Sequence, residues 1–262
     1  TTDETIRNGG TLEAGGVTTL SNGGLVNQGG KVFGNSLSID THKNVLDNSA
    51  NGTLAATTAV AISSGALTND AGLVQSGGAM TIDTNGKALT NTNAANYSSQ
   101  QAGITSADTF DLKAGTVSNA AGFIGAKNAL TANTQAFDNT SKGTVLGQST
   151  VAINTNGASY DNSNNGQTLA VGDLGIIAGS TTNTGGLIRS TTTTTLNAGS
   201  ISNTGTQGAN QGIEGQNVVM GMGSLDNTLG AIRASANATI TGSGTLTNTN
   251  GLISAGNTLS IV

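Results

Sequence analysis

The chain has 262 residues, of which 40 are glycine and none is proline, cysteine or tryptophan; nine basic residues against fourteen acidic ones leave a net charge of −5. This excludes disulfides and thiolate metal sites, and the lack of any basic run argues against a nucleic-acid or anionic-membrane partner. No stretch approaches the roughly 20 apolar residues of a membrane span, and no signal peptide is legible, which reads as a mature fragment or an intracellular chain.

Along the chain one small device recurs, an apolar residue two positions before an asparagine. Ile6–Asn8 opens an early turn, but Leu20–Asn22 offers a competing register there, so residues 1–24 are expected to form irregular or shorter repeats. Regular turns are expected over residues 25–262, with anchors at Leu25–Asn27, Leu46–Asn48, Leu67–Asn69, Leu89–Asn91, Val117–Asn119, Phe137–Asn139, Tyr160–Asn162, Ile201–Asn203, Leu225–Asn227 and Leu246–Asn248. Thr181–Asn183 fits the pattern with threonine in the apolar slot. The intervals between these asparagines run 21, 21, 22, 28, 20, 23, 21, 20, 24 and 21, a mean near 22.

A second apolar site follows each anchor: Val32, Leu54, Val74, Ile104, Ile124, Val145, Leu169, Ile188, Ile213, Ile232 and Ile253. Five or six residues on come a third and a fourth site separated by one polar residue, as in Val60/Ile62, Met80/Ile82, Phe110/Leu112, Val151/Ile153 and Leu259/Ile261. That alternation has the period of a strand, and Gly and Asn punctuate the short apolar segments. A repeat of this length with three short strands and no helical runs predicts a parallel β-helix of about 11–12 turns, a single repeat domain over 1–262. At about 4.8 Å per turn it makes a rod roughly 50–60 Å long. The missing proline follows, because every interior strand needs its N–H for the ladder.

The recurrent asparagines, Asn48, Asn69, Asn91, Asn119, Asn139, Asn162, Asn183, Asn203, Asn227 and Asn248, are read as a structural ladder. Two mechanisms recommend the residue: tolerance of left-handed backbone angles at a corner, and amide hydrogen bonds up the stack. Charges test the register. The residue after the second site is Arg189, Glu214 and Arg233 in three consecutive turns, which predicts a surface salt-bridge column contributing about 0–1 kcal/mol per pair. Asp47, Asp138, Asp161 and Asp226 each precede an anchor asparagine and are expected as solvated outward carboxylates. The 28-residue interval carries an insertion, TNTNAANYSSQQ at 90–101, whose Asn96, Tyr97, Gln100 and Gln101 form a candidate contact loop. A smaller excess lies at 204–212.

Catalytic chemistry has a faint signal. Asp40 and Asp83 share a post-strand position two turns apart, near the sole histidine, His42, and Lys43; that separation suits an inverting glycosidase, and turn capping explains the same pair. No third carboxylate is seen to join them. The DNSNNG run, Asp161–Gly166, lacks the twelfth-position Glu of a calcium loop. Thr191–Thr195 reads as an outward strand face. Nothing calls for a metal or a cofactor.

The unit LTNTNGLISAGNTLSI at 246–261, echoed by LTNDAGLVQSGGAMTI at 67–82, resembles the filamentous haemagglutinin repeat, and the resemblance covers nearly the whole chain. That family comprises exoproteins of bacterial two-partner (type V) secretion, adhesins and contact-dependent growth-inhibition proteins among them. The resemblance implies a right-handed, monomeric β-helical filament at a Gram-negative cell surface. It also implies export through an outer-membrane transporter barrel, a role in virulence, and contact with a receptor or glycan on host or bacterial cells. Residues 6–30 resemble instead the shorter repeats of classical autotransporter passengers. The Asn-Pro motifs of the family's secretion domain are absent, so the chain is read as shaft from a longer filament. A β-helical polysaccharide-degrading enzyme is the alternative from another class.

Overall fold

A computed structural model describes residues 2–96 and 102–262. Its strands form one continuous all-parallel sheet wound into a solenoid of about twelve coils. The anchors stack as one column: Ile6, Leu25, Leu46, Leu67, Leu89, Val117, Phe137, Tyr160, Thr181, Ile201, Leu225 and Leu246. Ile6, not Leu20, takes the first place; Leu20 pairs with Ile39 in the fourth-site column.

A typical coil has a two-residue anchor strand, Leu67–Thr68, a second strand, Leu73–Ser76, and a third, Met80–Asp83. In some coils the corners straighten and strands fuse, as in Thr53–Ser63 and Gly212–Asp226. Among the described residues there is no α-helix, only a 3-10 turn at Ala94–Asn96. Alternation along the third strand puts Met80 and Ile82 inside and Thr81 outside. Met80 stacks between Val60 and Phe110, and Ile82 between Ile62 and Leu112, so each coil completes the core of the next. The last coil shows what that neighbour is worth. Leu259 and Ile261 fill the same slots but are 44 % and 51 % exposed, against 1 % for Met80 and for Ile82.

Three expectations need correction. The second site of the coil anchored by Tyr160 is Thr168, not Leu169. Thr168 pairs with Val145 and Ile188 and is fully buried, while Leu169 faces outward beside Leu146. The cause is Tyr160, whose ring is buried against Phe137 at a centroid distance of 5.5 Å. A buried phenol needs a polar partner, and its Oη shares a short hydrogen bond with Thr168 Oγ1, which in turn donates to Asn162 Oδ1 at 2.9 Å. Burial pushes the Tyr160 phenol far above its ordinary range.

The threonine run is not all outward either. Thr194 occupies an inward third-site slot between Leu174 and Val218, its hydroxyl spent on Glu214 O at 2.6 Å. Finally, the anchor asparagines are not left-handed. The positive φ falls two residues later, at Ala50, Ala71, Asn93, Ala121, Ser141 and Asn164 among others. The corner is turned there, and the ladder asparagine keeps an ordinary backbone.

Thr181 fills its anchor slot 1 % exposed, with its hydroxyl unpaired. A buried hydroxyl without a partner costs about 1–3 kcal/mol, so Thr181→Val is expected to raise the unfolding free energy by about 1 kcal/mol, read as a higher urea midpoint at unchanged slope.

Candidate functional site

The asparagines form a single chain of side-chain bonds along the axis. Asn8 Nδ2 donates to Asn27 Oδ1, Asn27 to Asn48, and so on through Asn69, Asn91, Asn119, Asn139, Asn162, Asn183, Asn203, Asn227 and Asn248, each bond 2.7–2.9 Å long. Every bond points the same way. The second amide hydrogen fixes that sense by reaching backbone carbonyls, as Asn48 Nδ2 does to Gly52 O at 3.1 Å and Leu73 O at 3.0 Å. Each amide thus ties its own corner shut and joins it to the next coil. The long 91–119 interval does not break the chain, since Asn91 still reaches Asn119 at 2.7 Å.

Two supporting columns escaped the sequence reading. Three or four residues after the asparagine stands a glycine that lies against the neighbouring coil. A Cβ on Gly72 would sit 2.1 Å from Asn48 O, and one on Gly122 1.8 Å from Asn91 O. At the opposite corner, two residues after the fourth site, runs a column of buried hydroxyls. Thr41, Thr84 and Thr155 donate to the carbonyls of Asn44, Lys87 and Ala158 at 2.5–2.6 Å. The signal was present as the recurring small hydroxyl residue in IDT, ISS, IDT and INT at residues 39–41, 62–64, 82–84 and 153–155.

The acidic residues mostly serve their own turns. Asp47, Asp138, Asp161 and Asp226 each accept the N–H two residues on, at 2.9–3.0 Å. Asp138 and Asp161 stand in adjacent coils. The Thr228 hydroxyl and N–H hold the Asp226 carboxyl below its usual range, and the Thr192 hydroxyl and Thr193 N–H do the same for Asp173.

Arg189, Glu214 and Arg233 occupy matching positions in successive coils. Glu214 lies 2.9 Å from Arg233 and 3.9 Å from the more exposed Arg189. Arg233 has further duties: its guanidinium donates to Gln211 O at 2.9 Å and Gln207 O at 3.3 Å, pinning the 204–212 excursion to the coil above. Of the candidate contact loop, Asn96 is exposed at the end of the 3-10 turn, and Tyr97, Gln100 and Gln101 lie outside the described residues.

An open surface feature lies on the outer face of the third strands. A groove of about 770 Å³ contains Asp40, Ser63 and Asp83 in one column, with Lys113 next in line and Asp111 beside it. A third carboxylate and a lysine therefore do share the face of Asp40 and Asp83; Asp111 was missed because it belongs to the neighbouring column. A further groove of about 320 Å³ shares Thr131 and Asn133 with the first and continues it to Thr195 and Asn197. Asp40 and Asp83 spend an oxygen on their own turns, at His42 N (2.8 Å) and Asn85 N (2.7 Å). His42 and Lys43 take positive φ at that corner, and the His42 ring meets Ser21. The face is open to solvent and has no wall to desolvate a reacting bond, so its geometry suits binding along a line more than chemistry at a point.

The profile of the Haemagglutinin repeat matches residues 1–32, 147–219 and 218–261, together more than half the chain. No curated protein and no solved structure matches it significantly. The unmatched stretch, 33–146, keeps the same strand columns as its flanks.

Gly122→Ala is expected to destabilise by about 2–4 kcal/mol in urea unfolding, because backbone must move to admit the methyl. Gly175→Ala, with nothing within 4 Å of the added carbon, is expected to be neutral or slightly stabilising. For Asp173 the folded state favours the carboxylate. Its contribution is therefore full above the unfolded pKa near 3.9 and is lost as pH falls through the lower folded value. A ¹³C carboxyl titration should place the Asp173 midpoint below that of an ordinary aspartate, and Thr192→Val should move it back up.

Proposed function

Because the chain belongs to the haemagglutinin repeat family, we propose that it is a stretch of stiff shaft from an exported bacterial surface protein. Its repetitive outer face makes contact with host or neighbouring cells. The observation that carries the reading is the unbroken amide ladder, flanked by fully paired strands over about twelve coils. Such a stack resists bending because each coil is bonded to the next at every corner. It leaves the outward side chains free to vary, since few of them take part in the fold. In this reading the chain crosses the outer membrane through a dedicated transporter barrel before it coils, and works as a single filament without a cofactor or nucleic acid. The absence of cysteine suits passage as an unfolded strand.

The enzymatic alternative draws on Asp40 and Asp83. Both are tied to their own turns on an open face, which favours the adhesive reading. Beads coated with residues 1–262 are expected to adhere to epithelial or bacterial cells above beads coated with an unrelated β-solenoid. Equal adherence would count against the proposal. So would turnover of polygalacturonate that vanishes in Asp40→Ala or Asp83→Ala.

A further inference from the structure

We infer that the groove on the third-strand face is a binding track for an uncharged, extended polysaccharide lying parallel to the solenoid axis. The inference rests on the adhesive reading above and names the ligand class that the surface fits. Its first support is continuity. The outward residues Ser38, Ala61, Thr81, Asp111, Thr131, Ala152, Gly175 and Thr195 follow one another up a single column. The seven steps between these eight coils, at about 4.8 Å each, give a straight track of roughly 34 Å. Most of these side chains are small, so a ligand can approach the sheet closely, and the grooves lining it meet at Thr131 and Asn133.

The second support is unspent hydrogen-bonding capacity. Among the described residues, the hydroxyls of Thr81, Thr131 and Thr195 make no bond within the protein, and neither do the amide N–H groups of Asn133 and Asn154. The carbonyl ends of those two asparagines are already used, by Asn156 Nδ2 at 2.6 Å and Asn156 N at 2.8 Å. That leaves their donors unbonded beside the track at successive coils. The two amides stand one coil apart and the three hydroxyls two and three coils apart on the same face, a line of hydrogen-bonding groups that suits a ligand presenting hydroxyls along its length.

Charge and topology exclude the obvious competitors. The track carries Asp40, Asp83 and Asp111 against Lys113 alone, so an acidic polymer is repelled. An extended peptide has no edge to join, because the third strands over this span are paired on both sides. With no aromatic platform in the track, each coil supplies a weak contact, and affinity accumulates with ligand length.

The test uses the full chain with cellohexaose, cellotriose and hexagalacturonate as probes, by ¹H–¹⁵N chemical-shift titration. Cellohexaose should perturb the track residues and bind about tenfold tighter than cellotriose. Hexagalacturonate should bind more weakly than either. Thr131→Arg, which blocks the track on its solvent side, should abolish binding. Asn133→Ala with Asn154→Ala should weaken it roughly tenfold, and serves as the readout if Thr131→Arg fails to fold. The inference is overturned if cellohexaose does not bind the folded wild type, if the substitutions leave its affinity unchanged, or if hexagalacturonate binds as well. Loss of cellohexaose binding with bead adherence intact overturns the track and leaves the adhesive reading standing. Binding without adherence does the reverse.

Discussion

The structure depends on in-register repetition: a side chain is buried only because its counterpart one coil away lies on top of it. A single coil of about 22 residues presents three or four inward apolar groups, each contributing roughly 1.5–3 kcal/mol when covered. Ordering the backbone costs about 1–2 kcal/mol per residue. Apolar burial alone therefore does not hold a coil closed. The difference is made by a backbone ladder with almost no missing rungs and by polar columns that close the corners, the asparagines at one and the Thr41, Thr84 and Thr155 hydroxyls at another. The glycines beside the asparagines belong to the same constraint. They let two backbones come close enough for an amide to span them.

This division of labour explains how the molecule can be both rigid and variable. Inward and corner positions are held by their neighbours, whereas outward positions are tied to the fold only where a side chain caps a turn or joins an ion pair. Insertions are absorbed on the same terms. Across the long 91–119 interval the core column continues from Val74 to Ile104 without a shift. At 204–212 an arginine from the coil above holds the excursion against the shaft, so that extra length becomes ordered surface.

Much of the fold was legible because the repeat is carried by residue types with one physical use, an apolar group or an amide at fixed spacing. Where the reading failed, a local partner had overridden the type. Leu169 looked like the core residue and Thr168 did not; Tyr160, buried one strand earlier, needed a hydroxyl and inverted the choice. Thr194 entered the core in the same way, through a carbonyl it could reach. The asparagines were placed in the right column, but one of the two reasons offered for them was wrong, since the left-handed residue lies two positions later. The surface was harder. Asp40 and Asp83 stood out because they share a column, while Asp111 and the free hydroxyls of the track belong to the adjacent column, and sequence spacing does not show which columns lie side by side on one face.

The common orientation of the asparagine bonds gives the rod an arrow. Turned end for end against a copy of itself, it would set amide hydrogens against amide hydrogens or oxygen against oxygen, and the stack could not continue. Lengthening is thus permitted in one relative orientation only, head to tail, and mirror-image joints are forbidden by side-chain chemistry even where the shapes would fit.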